Sequence, residues 1–219
     1  MSAFSRLHSL NAVQYKGACH RTTACTATCR ERRAPEAGRS AHLRRALLKQ
    51  LVPAVSRVAI LWNPTAAPIA ELTADLQGSA HSLGVRLQFV EVRQPAGYDA
   101  AFAAMVKDRA GAVVIQSSPI FLRDGRRIVD LAAKHQLPAA YLFREDVMAG
   151  GLLAYGPNIS DMARLAAVYV DKILKGAKPA ELPVQQPTKF ELLLNLKTAK
   201  ALSLSITPAL WMRADELID

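Results

Sequence analysis

The sequence predicts an α/β fold: an open parallel sheet flanked by helices. Three observations lead there. Short apolar runs rich in β-branched residues, such as AVVIQ (112–116), lack alternation and so suit strands covered on both faces. Between them lie longer stretches with apolar residues three and four apart, the spacing of one helical face. Glycines and prolines fall at the joints, as at Pro53, Gly84 and Pro138. Strands that alternate with helices at this interval form parallel sheets with right-handed crossovers.

Taken in order, RRALLKQLVPAV (44–55) reads as a short helix ended near Pro53, and SRVAILW (56–62) as the first buried strand. A helix follows from about 67 to 83, with Ile69, Leu72, Leu76, Ala80 and Leu83 on one face, and Gly84 supplies its stop. VRLQFVEV (85–92) alternates as a strand. YDAAFAAMVKDR then carries Tyr98, Phe102 and Met105 on one helical face. AVVIQ is the third strand, RRIVDLAAKHQ (126–136) a helix, PAAYL (138–142) the fourth strand and LLAY (152–155) the fifth.

The following helix is capped by Asn158, with Asp161 near its positive end. Its stripe of Ile159, Met162, Ala166, Tyr169 and Ile173 is widened by Leu165, Val168 and Val170, so more than one ordinary face is apolar. GAKPAELPVQQPTK (176–189) reads as an extended linker, FELLLNL (190–196) as a strand, and KTAKAL as a short helix. TPALWMRADELI reads as a final helix with Pro208 in its first turn.

The chain has 219 residues and a formal net charge of +10, which taken whole points toward an anionic partner. The charge is uneven. Residues 1–50 hold 10 Lys and Arg against 2 Asp and Glu, a net +8, so the rest carries only +2. All three cysteines, Cys19, Cys25 and Cys29, lie in that same segment.

Residues 1–43 therefore read as a disordered basic segment, the product of a wrong start or a shifted reading frame. Cys19, His20, Cys25 and Cys29 supply enough zinc ligands but lack paired CxxC spacing. Around Arg30, Arg32 and Arg33 no aromatic residues interleave to stack on bases. No run of eighteen apolar residues exists to span a membrane, and the start has no signal-peptide core.

In an open α/β sheet, ligands bind beyond the carboxyl ends of the strands. The first such loop holds Asn63, without the glycine pattern of a dinucleotide or phosphate loop. The third offers Gln116, Ser117, Ser118 and Phe121, the fourth Phe143 and Arg144, and the fifth Tyr155 and Gly156. Amides, hydroxyls, one guanidinium and aromatic walls suit a small polar or zwitterionic solute. Catalysis has no nominee: His81 and His135 fall on helices, no serine sits on a GxSxG elbow, and the adjacent Glu145 and Asp146 do not point into one site. No cofactor or metal is implied.

SRVAILWNP, PAAYLFREDVMAGGLLAYGPNISDM and above all QPTKFELLLNLKTAKAL resemble the substrate-binding proteins of uncharacterised ABC-type import systems. These are related to tryptophan/tyrosine-type binding proteins and similar in fold to type I periplasmic binding proteins. The resemblance covers about 44–219. It implies two α/β lobes with a solute trapped between them, delivery to a membrane permease, no enzyme activity, no nucleic acid, and a place in the periplasm or cell envelope. On that pattern 44–155 is one ligand-binding lobe, 156–219 supplies crossing segments, and the first lobe is lacking. The helix at 159–174 would then be left partly uncovered. A cytoplasmic α/β enzyme or small-molecule-sensing regulatory domain of the same fold is the alternative.

Overall fold

The structure, a computed structural model, describes residues 34–66, 73, 76, 77 and 80–219, with side chains from 43 onward. The cysteine cluster, the basic arm and the helical positions Ile69 and Leu72 lie outside the described residues. One compact unit runs from Glu36 to Asp219.

Helix α1 (Ala34–Leu51) begins ten residues before the regular pattern at Arg44 and buries Leu47, Leu48 and Leu51. Strand β1 (Arg57–Trp62) follows; five of its six residues are buried, as its unbroken apolar run requires. The next helix buries Leu76 and Ala80 and stops at Gly84, whose φ of +62° is the left-handed turn that a glycine allows. Then come β2 (Arg86–Glu91), α2 (Tyr98–Lys107), β3 (Ala112–Ile115), α3 (Pro119–Arg123), α4 (Gly125–Lys134), β4 (Ala139–Tyr141) and α5 (Arg144–Met148). The chain closes with β5 (Leu153–Pro157), α6 (Ile159–Leu174), β6 (Phe190–Asn195), α7 (Leu196–Ala201), α8 (Pro208–Trp211) and β7 (Glu216–Ile218).

Among the described residues seven strands form one sheet, in the order β2-β1-β3-β4-β5-β6-β7. Strands β1 to β5 pair in parallel, and β6 returns antiparallel to β5 with Tyr155 opposite Leu192. The chain passes from β1 outward to β2, then back across to β3. That reversal puts α1 and the helix after β1 on one face, and α2, α4 and α5 on the other. Alternate strand residues divide between the two cores: Val58, Ile60, Ala112 and Val114 face the first, Ala59, Leu61, Val113 and Ile115 the second.

The second core is filled by the face predicted for α2, since Tyr98, Phe102 and Met105 are all fully buried. Tyr98 is the polar pin of that layer. Its hydroxyl donates to Asp124 Oδ2 at 3.0 Å and lies 3.2 Å from the Ile120 carbonyl, joining α2 to the turn between α3 and α4.

The carboxyl-terminal end departs from its sequence pattern. The predicted final helix stops after Trp211, and residues 216–218 instead form β7, parallel to β6. The Asp215 carboxylate accepts the Leu192 amide at 2.7 Å and the Asp215 amide donates to the Leu192 carbonyl at 2.9 Å. These bonds satisfy the open edge of β6, which outweighs continuation of a short helix. Ser203 ends α7 at φ +55°, where a Cβ is strained. Ser203→Gly is expected to raise stability by about 1 kcal/mol, measured as a shift in the urea midpoint.

Helix α6 is capped as predicted: the Asn158 side chain accepts the Asp161 amide at 2.9 Å. No residue of this helix is buried. Ile159, Met162, Val168, Val170, Ile173 and Leu174 are all exposed, Leu174 at 81%. Such a contiguous apolar surface lowers solubility. Val170→Lys with Leu174→Lys should leave the melting temperature unchanged and reduce concentration-dependent light scattering; a fall in melting temperature would show that these side chains are packed.

Candidate functional site

The loops after β3 and β4 meet in a recess at the carboxyl edge of the sheet. Strand β3 delivers Gln116, and Ser118 follows in extended backbone just before α3. The Ser118 hydroxyl does not cap that helix, although serine usually does so at this position. Phe121, on the first turn of α3, is buried and forms an apolar wall. From β4 come Tyr141, at its last residue, and Phe143, which precedes α5. Asp146 enters from α5, while Gly125, the first residue of α4, closes the floor.

The recess encloses about 10 Å³, room for one water-sized group. Its polar atoms are unspent. Among the described residues, Gln116 Nε2, Ser118 Oγ and Tyr141 Oη are each buried without a hydrogen-bond partner. Leaving such atoms unpaired costs about 1–3 kcal/mol apiece, so a surplus here marks a place where something else completes the bonding. Burial also pushes the Tyr141 phenol above its ordinary range, and the Asp146 carboxylate adds to that shift.

Among the described residues, Asp146 is the one charged side chain lining the recess. Burial raises its carboxyl to about 6, the neighbouring Glu145 charge adds to this, and a hydrogen bond with the Phe143 backbone opposes it. The bare Cα of Gly125 makes room for it. A Cβ at that position would lie 2.4 Å from Asp146 Oδ1.

The other loop residues do different work. The Asn63 Oδ1 accepts from both the amide and the hydroxyl of Thr65, at 2.8 and 2.7 Å, and so closes its own turn. Ser117 is exposed. Arg144 makes a two-pronged ion pair with Glu216, its Nη2 donating to Oε1 at 2.7 Å, which ties α5 to β7 and holds the guanidinium above its ordinary pKa. Tyr155 stacks on Phe190 with ring centroids 5.9 Å apart. Gly156 lies against the Leu142 carbonyl. Thus Gln116, Ser118, Phe121 and Phe143 share one recess, whereas Asn63, Ser117, Arg144, Tyr155 and Gly156 do not line it.

Sequence reasoning passed over Tyr141 and Gly125. Tyr141 ends an apolar strand and reads as core; Gly125 reads as a turn. Neither carries a signal until the fold sets β4 beside α4. Asp146 was visible only as one of two adjacent carboxylates. The phase of α5 separates them, leaving Glu145 exposed and Asp146 in the recess.

Residues 41–218 match the family model for ABC transporter substrate binding proteins. The chain belongs to that family. A conserved domain protein from Vibrio cholerae has the same fold, with a TM-score of 0.73 at 22% identity, over 81% of this chain and 60% of that one. The ABC domain from Streptococcus pneumonia, solved in complex with L-Trp, gives 0.74 at 20% identity, over 82% and 62%. CD0873, a substrate-binding protein with adhesive properties from Clostridium difficile, gives 0.57 at 16% identity, over 79% and 58%. This chain thus spans about 60% of the length of these solved structures. No curated protein matches its sequence. Among the described residues there is no helix long and apolar enough to cross a membrane, and no acid, histidine or cysteine cluster that could hold a metal ion.

Proposed function

We propose that this protein is the solute-binding component of an ABC-type importer. It takes up a small, polar, amino-acid-like solute at the loops after β3 and β4 and delivers it to a membrane permease from the periplasm or cell envelope. One observation carries the reading: three buried polar atoms without partners among the described residues converge, between aromatic walls, at the sheet edge where α/β folds bind ligands. Family membership and the L-Trp complex of the Streptococcus pneumonia domain support it.

A recess for one water-sized group seats only part of a solute, so affinity is weak, on the order of 0.1–1 mM. Calorimetric titration with the twenty L-amino acids, each alone, tests this. At least one should give saturable heat that Phe143→Ala weakens about tenfold by removing an apolar wall. No saturable heat from any of them would overturn the proposal.

A further inference from the structure

We infer that the recess beside Asp146 binds a primary ammonium group, so that the solute enters amine first with Asp146 as its counter-charge. This rests on the solute-binding reading above and names the chemical class that the site selects.

Charge, size and donor pattern agree. Among the described residues the one charged side chain lining the recess is a carboxylate, and no described lysine, arginine or histidine shares it. A carboxylate or phosphate head would therefore meet like charge with no cation to offset it. An ammonium meets opposite charge, and the face of a nearby aromatic ring also attracts a cation. The volume of about 10 Å³ admits –NH₃⁺, which is water-sized, and excludes a quaternary ammonium or an indole.

The three donors of an ammonium are then matched by acceptors. An ammonium donates three bonds, and Asp146, Tyr141 Oη and Ser118 Oγ are three acceptors lining one recess, the last two without partners. Gln116 Nε2, a donor, is left for the next atoms of the solute, such as a carboxylate oxygen.

The groups around Asp146 leave that charge uncompensated. On its own helix Glu145 is another acid and Arg144 is held in its ion pair with Glu216; from β4 comes the neutral Tyr141. Helix α4 presents Gly125, while its charged side chains Arg126, Arg127 and Asp130 are turned to solvent, at 75%, 49% and 63% exposure, and Lys134 in its last turn is also exposed. A carboxyl that burial has already raised to about 6 regains its ordinary acidity when a cation arrives, so binding should weaken as pH falls through 6.

Methylammonium is the minimal probe. The Asp146 side-chain carboxyl is followed by ¹³C NMR in the full chain across a pH series. With about 100 mM methylammonium its pKa should fall by about one unit, and with equal tetramethylammonium it should not move. Equal shifts with both, or with neither, would overturn the assignment. In parallel, any amino acid that binds is compared with its des-amino acid and with the Asp146→Asn protein. Loss of the amine and loss of the carboxylate should each weaken binding about ten- to hundredfold. If amino and des-amino forms bind alike, the solute-binding role stands and the ammonium assignment fails. If no solute binds but methylammonium still shifts Asp146, the ammonium site stands and the transport reading fails. If neither occurs, both fail.

Discussion

Gly156→Ala is expected to destabilise the protein by about 3 kcal/mol or more, lowering the melting temperature by roughly 10 °C. The reason is a backbone contact. A Cβ at 156 would lie 2.0 Å from the carbonyl oxygen of Leu142, with a further side-chain contact at 3.0 Å. Leu142 directly follows β4 and Gly156 lies within β5, and the two strands are hydrogen-bonded neighbours. Relief would require parting them just where β5 also pairs with β6. Gly84 is the control: its φ is +62° but nothing lies within 4 Å, so Gly84→Ala should cost only about 1 kcal/mol. Thermal melts of the two variants separate a steric from a conformational cost. Equal losses would contradict the close approach at 156.

Asp146 sets the second large effect, with opposite sign. Its carboxyl titrates near 6 in the fold against 3.8 for the free group. Between those values the folded chain holds a proton that the unfolded chain has lost, so stability declines as pH rises from about 4 to 6 and levels off above. After allowance for partial exposure the deficit at neutral pH is about 1–2 kcal/mol. Asp146→Asn should therefore be more stable than the natural chain at pH 7, equally stable at pH 4, and flatter across the range. Urea titrations at pH 4, 5, 6 and 7 would show this. A natural chain that gains stability from pH 4 to 6 would contradict the buried carboxyl. For a residue proposed to bind solute, such a cost in stability is a familiar exchange at functional sites.

The sheet was legible because its strands are covered on both faces. AVVI and RVAILW can lie nowhere else, and the stripe of Tyr98, Phe102 and Met105 permits only one face inward. The antiparallel return of β6 was not legible, since a strand's own residues do not reveal its direction. Strand β7 was missed because ADELI follows a proline-started helix, and only the exchange of bonds between Asp215 and Leu192 draws it to the sheet. That Gln116, Ser118, Phe121 and Phe143 meet in one recess was legible from strand ends alone. Arg144 shared that credential, but its partner Glu216 lies on a strand unseen in the sequence.

Helix α6 illustrates the difference between composition and packing. Its apolar stripe alone reads as a core face, whereas the family resemblance implies a partly uncovered helix; Ile159, Val170 and Leu174 are exposed. The ion pairs Arg164–Asp161 and Lys175–Asp171 run along the helix itself, and Lys189–Asp161 reaches it from the segment before β6. Its one packed side is held by Tyr169, whose hydroxyl donates to the Pro183 carbonyl.

Where a solute touches the chain is the most direct test of this account. In ¹H–¹⁵N NMR spectra of the full chain, an amino acid that binds should shift the amides of 116–118 and 141–146 and leave those of α6 and 177–189 in place. Shifts confined to α6 and 177–189, or to the amino ends of the strands, would contradict a solute site at the carboxyl edge of the sheet.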